Sequence, residues 1–258
     1  MLQQEYSSGD FAFQHSLPQK HQNENEVKIY KAPDIYKRTL SPNTTTTSVL
    51  GIKFNGGVAI AADIGGYYGK LARYKQLERI YKVNDSTIMC TSGDYADFQH
   101  IKDTVEQRVI SEEILEDGFS LKAFSLYTWM TRLMYGRRSK FDPLWNSVVV
   151  AGYDEGEGFL GVVDLRGLAY EDNCVATGLG SHIALPSLRN SAASASGLFD
   201  KDMAHIALTK CMELLFYRDT CSLPKFQIAT ITDKGVEISP IIEVSGNWEV
   251  AAMVHGFE

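Results

Sequence analysis

Two helix-length patterns stand back to back in this chain, over 98–114 and 121–138, with strand-like runs on either side of them. The first repeats apolar residues at helical spacing through Phe98, Ile101, Val105, Val109, Ile110 and Ile114, the second through Phe124, Leu126, Trp129, Leu133 and Met134. A parallel sheet wound by crossover helices needs strand and helix to alternate, so this order excludes one. Ahead of the helices, runs at 45–54 and 57–63 flank Asn55-Gly56, a strong signal for a tight hairpin turn, and a third run covers 86–92. Behind them come strand signals at 147–152, 159–164 and 168–170, helical stretches at 181–189 and 201–218, and closing strands at 226–232 and 235–238. Segregated blocks of this kind predict an α+β fold in which two antiparallel sheets pack face to face and carry helix pairs outside.

A chain of 258 residues, 44% hydrophobic and 22% charged, can bury one large core without a second domain. Residues 1–43 differ from the rest: they are rich in Gln, Asn, Ser, Lys and Glu and end in the turn-like Leu40-Ser41-Pro42-Asn43. They read as an N-terminal extension or propeptide, and 44–258 as the domain. The formal net charge of −7 argues against a nucleic-acid partner, which calls for clustered cations on one face. The basic run Arg137-Arg138-Ser139-Lys140 falls where a helix ends, a place where cations meet exposed carbonyls.

Cys90, Cys174, Cys211 and Cys221 are widely spaced and are expected to be reduced thiols. The six histidines form no paired ligand motif, so neither a metal nor another cofactor is expected. No apolar stretch approaches membrane-spanning length, and the N-terminus lacks the pattern of a secretory signal. The expectation is a soluble protein of the cytoplasm and nucleus.

The run from Thr47 to Asp63, Thr47-Ser48-Val49-Leu50-Gly51-Ile52-Lys53-Phe54-Asn55-Gly56-Gly57-Val58-Ala59-Ile60-Ala61-Ala62-Asp63, resembles the opening hairpin of proteasome beta subunits. Ser92-Gly93-Asp94-Tyr95-Ala96-Asp97 and Tyr217-Arg218-Asp219 continue the likeness in the same order and spacing, from about Thr47 to Glu258. Arg137-Arg138-Ser139-Lys140, Asn146 after Pro143-Leu144-Trp145, and Asn247-Trp248 are similar to the beta type-7 ring position, whose subunits lack peptidase activity. The resemblance implies the four-layer αββα sandwich of the N-terminal-nucleophile hydrolases, of the threonine peptidase type. It also implies partners: other alpha and beta subunits in a 28-subunit particle of four rings.

A threonine peptidase of this type uses a hydroxyl as nucleophile and the same residue's freed α-amine as base. The family pattern places the nucleophile at Thr47, with Asp63 as the carboxylate that anchors a nearby cation. Three matches depart from the active pattern. Thr46 stands where a Gly precedes the nucleophile, Arg79 where a Lys tunes it, and Leu179, in Gly178-Leu179-Gly180-Ser181, where a Ser relays protons. Arginine keeps the charge but does not shed its proton, and leucine has no hydroxyl. Gly93 matches the glycine whose amide faces the oxyanion, while Asp219 and Ser222 match the late carboxylate and serine. The expected function is therefore a non-catalytic ring subunit serving ubiquitin-dependent protein degradation, with no catalytic residue and with Thr47, Asp63, Arg79, Gly93, Leu179, Asp219 and Ser222 as vestiges. The alternatives are an active endopeptidase using Thr47, and an alpha-type ring subunit.

Overall fold

The computed structural model of the chain describes residues 41–118, 120–194 and 199–249. Apart from its last three residues, the expected extension over 1–43 lies outside them. The elements in chain order are β1 (Thr44–Thr46), β2 (Val49–Phe54), β3 (Gly57–Asp63), β4 (Gly66–Tyr68), β5 (Leu71–Tyr74), β6 (Ile80–Asn84) and β7 (Thr87–Asp94). Helices α1 (Tyr95–Glu113) and α2 (Ala123–Ser139) follow, then β8 (Asn146–Asp154), β9 (Glu157–Val163), β10 (Ala169–Glu171) and β11 (Cys174–Ala176). Helices α3 (Gly180–Ser194) and α4 (Lys201–Arg218) lead to β12 (Lys225–Thr232), β13 (Gly235–Ile238) and β14 (Ile242–Glu243).

All pairings are antiparallel and make two sheets. The first runs β10-β9-β8-β7-β1-β4-β5, with β6 also on β7; the second runs β11-β2-β3-β12-β13, with β14 also on β12. Three apolar layers follow from period-two alternation along the strands. In β3, Ala59 and Ala61 face α3 and α4, where they meet Ala184, Leu188, Leu208 and Met212. Their neighbours Val58, Ile60 and Ala62 face Ile88, Val149 and Leu160 of the other sheet. Val148 and Val150 of β8 turn the opposite way, onto Ile101, Leu126 and Met130 of α1 and α2. Buried on both faces, β3 reads as one continuous apolar run, and the expected four-layer αββα sandwich is what the chain forms.

The helix blocks and hairpin stand where the sequence put them, with several differences. The single strand expected over 45–54 is two strands, β1 and β2, which belong to different sheets. Strand propensity cannot register this change, because every residue there is a tolerable strand former. The strands β4, β5, β6, β11 and β14 were not expected. The stripe of α1 is buried through Val105, while Ile110 and Ile114 are exposed. On α2, Tyr127 is core and Tyr135 is surface. The ending Asn247-Trp248 folds back on Tyr217, whose hydroxyl accepts from the Asn247 amide at 2.6 Å, and the Trp248 ring meets the Tyr217 ring edge-on at 5.2 Å. All four cysteines are free.

One packing contact titrates. His205 of α4 reaches β12, its Nε2 2.8 Å from Thr230 Oγ1, beside the ion pair of Lys201 with Glu237. Burial, and then the Lys201 charge, hold its pKa below the ordinary 6.5. The unfolded chain therefore takes up this proton first, so stability falls as pH drops below 6.5 toward the lower folded value. Denaturation midpoints measured from about pH 7 to about pH 5 should decline in the native chain and decline less in His205→Gln.

Candidate functional site

The two sheets meet at a seam where the chain leaves β1 for β2. Thr47 and Ser48 occupy that step and belong to neither strand. A chain that changes sheets leaves main-chain carbonyls without ladder partners, and a buried carbonyl without a donor is costly. The donor here is Arg79, in the segment entering β6, which is 1% exposed. Its Nη2 donates to the carbonyls of Thr47, of Ser48 at 3.3 Å and of Thr91 at 3.0 Å, and its Nε donates to Thr91 at 3.3 Å. Its Nη1 donates to the Asp63 carboxylate, to the Asp63 carbonyl at 3.3 Å and to Thr47 Oγ1 at 3.3 Å.

Asp63, at the end of β3, balances that charge and is equally buried. It accepts from Thr47 Oγ1 at 2.6 Å and from the Leu223 amide at 3.3 Å. Burial pushes its carboxyl up, against the opposing pull of Arg79, the Thr47 hydroxyl and the Leu223 amide. Thr47, Asp63 and Arg79, the positions that the family likeness marks, are thus in contact. The Thr47 hydroxyl is engaged on both sides, giving its proton to the carboxylate and receiving one from the guanidinium.

The backbone ahead of Thr47 is equally engaged. β1 lies between β7 and β4, with Thr45 opposite both Asp94 and Tyr67, and Thr46 opposite Gly93. Thr46 Oγ1 donates to the Gly93 carbonyl at 3.0 Å. One oxygen of Asp94 accepts from the amides of Asn43 at 2.9 Å and Thr44 at 3.2 Å; the other caps α1 through Ala96 and Asp97, both at 3.1 Å. Gly93 has φ +108, and a Cβ there would run into the Trp145 carbonyl, so the position tolerates glycine alone.

The remaining matches lie around this centre. Leu179, 41% exposed, sits in the turn before α3, next to Gly180, whose amide donates to Ser48 Oγ at 2.8 Å. The Ser181 hydroxyl, two positions on, donates to the Gly178 carbonyl at 2.7 Å. Asp219 caps the end of α4, is half-buried, and accepts from the Cys221 amide at 2.9 Å; the Ser222 amide donates to its carbonyl at 3.1 Å. Tyr67, unremarked in the sequence, is buried beside them. Burial first, then Asp63, Cys221 and Asp219, push its phenol above the ordinary range. Asp94 was also missed as a bridge, although an Asp directly before a helical pattern signals an N-cap. Among the described residues no cluster of three or more His, Cys, Asp or Glu could hold a metal, and no helix is long and apolar enough to cross a membrane.

Removing Arg79 should strand the Asp63 charge and take a donor from the carbonyls of Thr47, Ser48, Asp63 and Thr91. Arg79→Met is expected to cost about 3–5 kcal/mol, read as a lowered denaturation midpoint. Adding Asp63→Leu should restore only part of it, because the carbonyls of Thr47, Ser48 and Thr91 still lack donors. Full recovery in the double variant would show that the ion pair, and not the backbone stapling, is what matters.

Comparison with known proteins agrees with this geometry. A profile of the family described as Proteasome subunit matches residues 43–231. The chain is 47% identical over 233 residues to a protein of Xenopus laevis named Proteasome subunit beta type-4, covering 90% of this chain and 96% of the relative. It is 39% identical over 226 residues to the Drosophila melanogaster protein of the same name, covering 86% and 82%. Against Proteasome subunit beta type-7 of Saccharomyces cerevisiae it is 35% identical over 228 residues, covering 85% and 86%. With the αββα sandwich, the seam at Thr47 and these relatives together, the chain belongs to the proteasome subunit family, among its beta subunits.

Proposed function

We propose that the chain is a non-catalytic beta subunit of the 20S core particle, one that completes a ring and supports active subunits beside it. The observation that carries this reading is β1. An N-terminal nucleophile needs its own free α-amine, yet the Thr47 nitrogen continues into a strand paired on both edges, with the amides of Asn43 and Thr44 held by Asp94. Cleavage ahead of Thr47 would have to act on a segment held in the sheet along both edges. Thr46 in place of Gly, and Leu179 in place of a hydroxyl, support the same reading.

Arg79 supports it from the side of charge. A base-tuning cation has to sit near the amine without being consumed elsewhere, and this guanidinium spends its donors on main-chain carbonyls and Asp63. On this reading 44–258 is the ring-forming domain and 1–43 an extension. The chain works among alpha and beta partners in a 28-subunit, four-ring particle of the cytoplasm and nucleus, within ubiquitin-dependent degradation, without nucleic acid or cofactor. The ring position is the one its relatives carry under the names beta type-4 and beta type-7.

One observation favours an active peptidase: the Thr47 hydroxyl lies 2.6 Å from the Asp63 carboxylate, placed as a nucleophile would be. Mass spectrometry of the mature chain in the assembled particle, after treatment with a threonine-directed electrophile, separates the two. The expected mature chain begins at or before Asn43 and carries no adduct. A chain that starts at Thr47 and bears the electrophile there would overturn the proposal.

A further inference from the structure

We draw no further inference here: the strongest candidate, the apolar groove between α3 and α4 lined by Phe199, Met203, Ile206, Ala207 and Lys210, carries nothing because nothing in the structure shows what covers it.

Discussion

A single buried guanidinium holds the seam of this fold. When the chain steps from one sheet to the other at Thr47 and Ser48, the carbonyls there lose their ladder partners, and the nearest strand of the first sheet, β7, leaves the Thr91 carbonyl facing the same gap. Arg79 supplies donors to all three and ties them to Asp63 at the end of β3. Segments from both sheets are thereby joined through one side chain. The planar fork of arginine suits this task in a way the single ammonium of lysine does not, because several donors leave it in fixed directions. Burying the guanidinium is tolerable because its charge is matched and its donors are used.

Much of this was open to sequence reading, and what was not has physical causes. Long patterns were legible: α4 stands at 201–218, as the periodicity places it. The turn at Asn55-Gly56 was legible because glycine there adopts φ +92 between paired strands. The break between β1 and β2 was not, since it is made by Arg79, more than thirty positions away, and not by any turn-forming residue at 47–48. The triad of Thr47, Asp63 and Arg79 came from family likeness, and the structure brings those residues into contact. Tyr67 could not have been found, because its burial depends on β4, a three-residue strand without a pattern of its own.

The position of Asp94 shows how one carboxylate couples two levels of organisation. With one oxygen it caps α1, satisfying amides that the first turn of any helix leaves free. With the other it holds Asn43 and Thr44 at the start of β1. The helix that covers the first sheet and the strand that precedes Thr47 are therefore ordered by the same group. Departure of the segment ahead of Thr47 would leave one oxygen of that carboxylate without its donors, so the start of β1 and the start of α1 are tied through one group.

In the proposed reading the retained site residues Gly93, Asp219 and Asp63 carry less functional weight than their positions suggest, because each also has a structural reason to be present. Gly93 is required by a positive φ and by the close approach of the Trp145 carbonyl. Asp219 ends α4 and turns the chain by accepting from the Cys221 amide. Asp63 neutralises Arg79 and receives the Leu223 amide. A frame of this kind can keep the outline of a catalytic constellation after the chemistry is gone, since the same groups hold the two sheets together. What separates the two cases is the use made of the cation: a lysine left free beside an amine can tune it, whereas the guanidinium of Arg79 is committed to the backbone. In the proposed reading the site is silent because its charged group has become part of the scaffold, and returning lysine alone would unstitch the seam before it restored a base.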